Sequence, residues 1–151
     1  PSDIDTARLN SIVSWSFEKQ LPNLLPPIKL DVTDEGWSAL CPNQDLILLV
    51  NLLHLVSESE AKVIIGGISQ SLMPGGRCVI YGPFMRDGFL TSDGDRFFHQ
   101  SLIEADPHIG YKDDTWMLDL FQSHNLKTVK IANMPANNLA FIIEKKHPKR
   151  S

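Results

Sequence analysis

The spacing of apolar residues divides the chain into helices separated by extended segments. An apolar stripe at helical spacing follows Asp5 and predicts a first helix that ends before Pro22. Ser57 and Glu60 have the spacing of a capping box, so they predict the start of a second helix, which Pro74-Gly75-Gly76 ends. Two further helices are predicted near residues 95–105 and 114–124.

Extended segments alternate with these helices and predict a mixed sheet. They comprise residues 28–32, 45–50, 77–81, 127–133 and 139–145. The unbroken apolar run at 45–50 predicts a strand buried on both faces, as in a parallel sheet. The last two strands are joined by the turn-forming segment 134–138 and predict an antiparallel hairpin. The fold class predicted is α/β, a parallel sheet closed by a C-terminal hairpin.

Composition narrows the function classes only slightly. The 151 residues are 42% hydrophobic and 21% charged with a net charge of -4, which gives no general reason to expect nucleic-acid binding. No apolar run approaches the roughly 20 residues of a membrane span. Cys41 and Cys78 match no zinc or redox spacing, and no cluster of histidines predicts a metal site. The cysteine usage favours a reducing compartment, so a location in the cytoplasm, and also in the nucleus, is expected.

One turn points to a particular fold family. Residues 72–80, Leu-Met-Pro-Gly-Gly-Arg-Cys-Val-Ile, resemble the "L-x-P-G-G-x-x-x-I" turn before the fifth strand of S-adenosylmethionine-dependent methyltransferases. Five further segments, in the same order, resemble the methyltransferase-like 26 family. They are Pro1-Ser2-Asp3 with Ser11-Ile12, Leu30-Asp31-Val32, Asn51-Leu52-Leu53-His54, Tyr81-Gly82-Pro83-Phe84, and Met134-Pro135-Ala136-Asn137-Asn138.

This resemblance implies a Rossmann-like sheet of seven strands in the order 3-2-1-4-5-7-6, with strand 7 antiparallel. It also implies that this chain begins where the second strand ends, without the first strand and its glycine turn. We therefore expect an N-terminally incomplete chain that is inactive alone. Residues 1–144 are expected to form the C-terminal three quarters of one methyltransferase-like domain, and residues 145–151 a basic, solvated tail.

The function implied is methyl transfer from S-adenosylmethionine to an unknown, small-molecule acceptor. A non-catalytic protein that keeps the fold as an interaction module is the alternative. A nucleic-acid substrate is disfavoured because Leu-Leu-His follows Asn51 in place of "P-P-Tyr". A hydride-transfer enzyme is also disfavoured, because the sequence contains no G-x-G-x-x-G turn.

The expected cofactor-binding residues follow the ends of predicted strands. By the resemblance, Asp3 accepts hydrogen bonds from the ribose, Asp31 and Val32 lie beside the adenine, and Asn51 contacts the methionine moiety. Each polar residue has a simpler alternative. Asp3 or Asp5 caps the following helix, and Asp31 bonds its own backbone loop.

The expected acceptor side is built from the next strand ends. His54 and Tyr81 are the candidate catalytic residues, and Phe84, Asn137 and Asn138 the candidate substrate-binding residues. The alternatives are a histidine at a helix start for His54, a core aromatic residue for Tyr81, and a pure turn role for the asparagines.

Two segments near the acceptor side depart from the family pattern. The polar stretch 85–95 is expected to be a mobile lid, but the family's Asn is not in register there. Lys112 stands where the family often has Arg in "G-I-R-D". Because lysine lacks the planar fork of arginine, weaker binding of an acidic substrate is expected.

Overall fold

The computed structural model describes residues 1–148 and forms two sheets flanked by helices. The strands are β1 (Ser2–Asp3), β2 (Ile28–Lys29), β3 (Gln44–Val50), β4 (Leu72–Met85), β5 (Lys112–Asp113), β6 (Leu126–Asn133) and β7 (Asn138–Lys145). The helices are α1 (Thr6–Glu18), α2 (Glu58–Ser71), α3 (Asp93–Ala105) and α4 (Asp114–Ser123), with short 3₁₀ helices at Trp37–Leu40 and Leu53–Leu55. The α/β fold class is confirmed.

The larger sheet has the order β3-β4-β7-β6, and β5 pairs with the end of β4. β3 and β4 are parallel, whereas β7 is antiparallel to both β4 and β6, as the hairpin pattern predicts. β1 and β2 form a separate parallel pair. In the expected order 3-2-1-4-5-7-6, the β1–β2 pair corresponds to the part 3-2 and the larger sheet to the part 4-5-7-6. Because no strand of residues 1–148 lies between β1 and β3, the complete seven-strand order stays a prediction.

Helix starts agree closely with the sequence pattern. Asp5 is the N-cap of α1, where its carboxylate accepts hydrogen bonds from the amides of Ala7 and Arg8. Ser57 and Glu60 form the predicted capping box at the start of α2. Both caps satisfy amides that a helix leaves without internal partners, which explains why such short motifs locate helix starts.

Strand lengths differ from the sequence pattern. β2 has two residues in place of the five predicted, whereas β4 begins at Leu72 and continues to Met85, through Pro74-Gly75-Gly76 and past Tyr81. β4 is long because it pairs with β3 and β7 along most of its length and with β5 at its end. The expected tail also starts later, since Lys145 belongs to β7 and donates to the carbonyl of Leu72 at 2.7 Å. Residues 149–151 of that tail lie outside the described residues.

The core lies between the larger sheet and helices α2 and α4. The rings of Phe84, Phe121 and Phe141 meet edge to face at its centre, and each is at most 2% exposed. Phe84 was expected to contact the substrate. That expectation is wrong, because the side chain of Phe84 points from β4 into this core and packs on Phe141 at a ring separation of 4.9 Å.

The expectation that β3 is buried on both faces is also wrong. Leu46, Leu48 and Val50 are 54%, 64% and 58% exposed, whereas Ile47 and Leu49 are half-buried. The physical reason is the position of β3 at the edge of its sheet, with β4 as its sole pairing partner among residues 1–148. A cavity of about 720 Å³ separates β3 from β1 and β2, and we name it the inter-sheet cavity.

Candidate functional site

The carboxyl ends of β1, β2 and β3 meet around one cavity of about 490 Å³, which we name the strand-end cavity. It is lined by all four expected cofactor-binding residues, Asp3, Asp31, Val32 and Asn51. Its volume lies within the roughly 300–1,000 Å³ range of small-molecule sites. In open α/β sheets, ligands bind beyond the carboxyl ends of strands, so this cavity has the location of a cofactor site.

Two carboxylates in the strand-end cavity keep acceptor capacity. Asp3 accepts the amide of Asp5 through one oxygen at 2.9 Å, and Asp5 rather than Asp3 caps α1. Asp31 accepts the hydroxyl and amide of Thr33 through its Oδ1 alone, at 2.6 and 2.9 Å. The hydroxyl and then the amide of Thr33 lower the pKa of Asp31, so it stays ionised at neutral pH. The loop role foreseen as an alternative for Asp31 is therefore present, but it occupies one oxygen only.

Asn51 turns the chain sharply after β3. Its φ is 53°, a left-handed conformation that asparagine tolerates better than most residues, and its amide donates to the carbonyl of Tyr81 at 2.8 Å. Gly82 lies against it, since a Cβ on Gly82 would be 3.6 Å from Oδ1 of Asn51. The ends of β3 and β4 are thus held side by side, which brings the strand-end cavity next to the expected acceptor side.

His54 lies in the 3₁₀ helix that follows β3 and is 7% exposed. Its ring meets Phe98 and Tyr111 edge to face, at centroid separations of 5.7 and 6.3 Å. No hydrogen bond to its imidazole occurs within residues 1–148. Burial, and then the positive charge of Lys112, lowers the pKa of His54 below its usual value. His54 is therefore a neutral imidazole at pH 7, with the capacity to accept a proton.

Tyr81, Asn137 and Asn138 each take part in a side-chain hydrogen bond that the sequence did not reveal. Asn138 donates to the hydroxyl of Tyr81 at 3.0 Å, and Asn137 donates to the carboxylate of Asp95 at 3.1 Å. Asn137 has a φ of 58°, so it serves the turn as well. Both asparagines thus have side-chain partners at the expected acceptor side, and Asn137 lies in the turn whereas Asn138 begins β7.

Asp95 is the main residue that sequence reasoning missed. Its carboxylate accepts hydrogen bonds from four side chains: Thr91, Ser92, Tyr111 and Asn137. It therefore joins the segment before α3, the segment before β5 and the C-terminal hairpin. The signal in the sequence was Ser92 three residues before Asp95, a capping pattern whose other partners are distant in the chain.

The expected lid is tied to its surroundings. Gly88 and Asp87 donate their amides to the carboxylates of Asp113 and Asp114, and Arg86 and Phe89 form a bridge. Arg86 also donates to the carbonyls of Phe84 and Asn137. In this structure the first part of the segment is a hydrogen-bonded turn.

Lys112 is bonded to the backbone. It is 5% exposed and donates to the carbonyls of Val56 and Gly110 at 2.6 and 2.9 Å. Its ammonium group is thus already occupied by backbone carbonyls, and weaker binding of an acidic substrate stays a prediction.

Residues 1–145 match the family described as "Protein of unknown function (DUF938)". The chain belongs to the DUF938 family. The solved structures similar to this DUF938 chain include an O-methyltransferase family protein from Burkholderia thailandensis, with a TM-score of 0.81 and 17% identity over 98% of this chain and 43% of that protein.

Two more solved structures extend the comparison. Human N-acetylserotonin methyltransferase in complex with SAM has a TM-score of 0.68 and 13% identity, over 88% of this chain and 38% of its own. An O-methyltransferase family 2 protein from Planctomyces limnophilus, in complex with apigenin, has a TM-score of 0.79 and 16% identity, over 93% and 41%. At such identities the likeness shows that the DUF938 chain has the methyltransferase fold. The chain spans less than half the length of each of these proteins.

No helix within residues 1–148 is both long and apolar enough to cross a bilayer. In the same residues, no group of three histidine, cysteine or acidic side chains is arranged to hold a metal ion.

Asp95→Asn is expected to lower the free energy of unfolding at neutral pH. It is also expected to make that free energy fall less steeply as the pH is lowered. Burial raises the pKa of Asp95, but the hydrogen bonds from Ser92, Thr91, Tyr111 and Asn137 together lower it. The stabilisation is therefore complete above the unfolded pKa of about 3.9 and is lost as the pH falls through the folded value. At pH 7 we expect a loss of about 1–3 kcal/mol in urea unfolding, and a smaller difference near pH 3.

Asp93→Asn is the matched control for that experiment. The side chain of Asp93 is 97% exposed in the same helical turn, and we expect its replacement to change the unfolding free energy by less than about 0.5 kcal/mol at either pH. Equal losses at pH 7 and pH 3 for Asp95→Asn would contradict the role given to its charge.

Proposed function

We propose that this chain carries the acceptor side and part of the cofactor site of an S-adenosylmethionine-dependent methyltransferase that acts on a hydroxyl group of a small molecule. The observation that carries the proposal is the position of His54. A neutral, buried imidazole lies three residues after Asn51, which lines the strand-end cavity. The resemblance to methyltransferase-like 26 proteins and a cytoplasmic or nuclear location are parts of the same proposal.

The residues of the strand-end cavity fit S-adenosylmethionine chemically. Asp3 and Asp31 are acceptors for the ribose hydroxyls and the adenine amine, and Val32 supplies an apolar surface for the base. Asn51 provides both a donor and an acceptor for the amino-acid portion. When bound, the cofactor supplies a methyl group on a sulfonium. The presence of SAM in the human N-acetylserotonin methyltransferase structure and of apigenin in the Planctomyces limnophilus structure supports this proposal.

His54 has a defined task if the acceptor is a hydroxyl group. A hydroxyl must lose its proton as its oxygen attacks the methyl carbon, because the neutral oxygen is a weak nucleophile. The neutral imidazole accepts that proton, and the rings of Phe98 and Tyr111 hold its plane. Tyr81, held by Asn138, is available to bond the acceptor. The remaining contribution is placement of the reacting atoms away from water.

Asp31→Ala is expected to weaken binding of S-adenosylhomocysteine at least tenfold. A hydrogen bond to a charged group contributes about 1.5–3 kcal/mol. Asp31 lines the strand-end cavity and uses only its Oδ1 for the bonds to Thr33. Calorimetric titration of the purified chain at pH 7 measures this effect. Asp34→Ala is the control, because Asp34 is exposed and does not line that cavity.

Two results would oppose the proposal. A folded wild-type chain that binds neither S-adenosylmethionine nor S-adenosylhomocysteine would favour the interaction-module alternative. Equal affinities for the wild type and Asp31→Ala would remove Asp31 from the cofactor site. Circular dichroism of each protein establishes that the comparison is between folded chains.

A further inference from the structure

Lys112 is a buried charge without an ion-pair partner among residues 1–148. Its side chain lies in β5 beneath the segment that carries His54, and it is 5% exposed. Its ammonium group donates to two carbonyls, those of Val56 and Gly110. Since burying an ammonium group is costly, its position calls for a physical explanation.

The two carbonyls belong to the two segments that surround His54. Val56 is two residues after His54, and Gly110 directly precedes Tyr111. Gly110 also donates its amide to the carbonyl of His54 at 3.0 Å. The 54–56 segment and the 110–112 segment are therefore joined by one backbone hydrogen bond and by the ammonium group of Lys112.

On the basis of the proposed function, we propose that Lys112 is a positioning residue for His54, which fixes the backbone of the 54–56 segment against the 110–112 segment. Lys112 does not itself line the strand-end cavity. Lys112 acts by setting the position of the His54 imidazole and by favouring its neutral form.

The charges around His54 are consistent with this role. The ionisable groups on the surrounding elements are Lys112 of β5, Glu58 and Glu60 of α2, Asp95 and His99 of α3, and Tyr111. Burial lowers the pKa of Lys112, and Glu58 and Glu60 oppose that effect and favour its charged form. Burial, followed by the charge of Lys112, lowers the pKa of both His54 and His99.

Tyr111 completes the arrangement without adding a charge at neutral pH. Burial, with Asp95 beside it, raises the pKa of Tyr111 to about 12. Its hydroxyl therefore stays a donor to Asp95, and its amide donates to Nδ1 of His99 at 3.0 Å. The 110–112 segment is thus held on its other side by α3, so it is a firm support for the segment that carries His54.

Lys112→Gln and Lys112→Arg test the proposal in the full chain. Glutamine keeps one donor group but no charge, whereas arginine keeps the charge and several donors. Nuclear magnetic resonance of the imidazole protons gives the titration midpoint of each histidine, and amide hydrogen exchange reports on the Gly110 bond to His54. Lys62→Gln, an exposed lysine on α2, is the matched control.

We expect Lys112→Gln to raise the midpoint of His54 on the order of half a pH unit or more and to speed exchange of the Gly110 amide at least tenfold. Lys112→Arg is expected to restore both readouts toward wild type. Unchanged values in Lys112→Gln, equal to those of Lys62→Gln, would overturn the proposal. So would a shift of His99 alone.

The wild-type chain gives a second test if Lys112→Gln does not fold. The midpoint of His54 is expected to lie below the usual histidine value of about 6.5, and an equal or higher midpoint would overturn the proposal. Neither readout needs a cofactor. Absence of S-adenosylhomocysteine binding would therefore remove the proposed function while the His54 and Gly110 measurements still decide the role of Lys112.

Discussion

Gly67→Ala is expected to destabilise the chain by roughly 1–3 kcal/mol, because the added methyl group would overlap the ring of Trp37. A Cβ at Gly67 would lie 2.2 Å from Nε1 of Trp37 and 2.3–2.6 Å from two carbons of the same ring. The indole is rigid and 7% exposed, so the contact cannot be relieved by a flexible side-chain end. Urea unfolding followed by circular dichroism measures the loss.

Gly66→Ala is the matched control on the same helix. A Cβ there would lie 3.3 Å from the ring of His124, a contact that a small movement relieves. Alanine is also favoured over glycine in a helix interior by up to about 1 kcal/mol. We therefore expect the unfolding free energy of Gly66→Ala to stay within about 1 kcal/mol of wild type.

One structural outcome would contradict the Gly67 prediction. Trp37 also lines the inter-sheet cavity, so the indole has open space on one side. If Gly67→Ala were as stable as Gly66→Ala and the tryptophan fluorescence moved to longer wavelength, Trp37 would have turned into that cavity. The close packing of Trp37 on α2 would then not be required for folding.

His54→Gln is expected to reduce methyl transfer to a hydroxyl acceptor by about 10²–10⁴-fold, the usual contribution of a general base. Glutamine fills a similar volume and cannot accept the proton. Affinity for S-adenosylhomocysteine is expected to change less than threefold, because the cofactor side of the proposal depends on Asp3, Asp31 and Asn51. Formation of S-adenosylhomocysteine with any hydroxyl compound that the wild-type chain methylates is the measurement.

The pH dependence gives a second readout for His54. Activity requires the neutral imidazole, so it rises with pH through the pKa of His54, which lies below the usual 6.5. We therefore expect little change in rate above pH 7. His108→Gln, in which an exposed histidine is replaced, is expected to match wild type. A His54→Gln variant with full activity would show that another group accepts the proton.

His54 lies three residues after Asn51, in the 3₁₀ helix that follows β3. Asn51, Leu52 and Leu55 line the strand-end cavity, whereas the ring of His54 meets Phe98 and Tyr111. Asp95 and Lys112 bind the surrounding segments through Tyr111, Val56 and Gly110. The expected acceptor side is consequently stabilised by side-chain hydrogen bonds that link positions up to 57 residues apart in the chain.

The sequence by itself determined the features that depend on neighbouring residues. The capping box at Ser57 and Glu60 and the cap at Asp5 are local, because their hydrogen bonds join residues two or three positions apart. The C-terminal hairpin is nearly as local, because its two strands are consecutive in the chain and a short turn joins them. The polar residues after each strand, Asp3, Asp31 and Asn51, were also visible, since the carboxyl ends of parallel strands meet at one edge.

Tertiary structure alone decided the features that depend on distant partners. The exposure of Leu48 follows from the position of β3 at a sheet edge, and the burial of Phe84 follows from its packing on Phe141. The apolar run of β3 predicted burial of Leu48, and the position of Phe84 at a strand end suggested contact with a substrate. Asp95 ended the expected lid and Lys112 stood in a family pattern linked to an acidic substrate, yet their partners come from segments that folding brings beside them. Hydrophobic pattern specifies which face of an element is apolar, but the neighbours available to that face are set by the assembly of the whole chain.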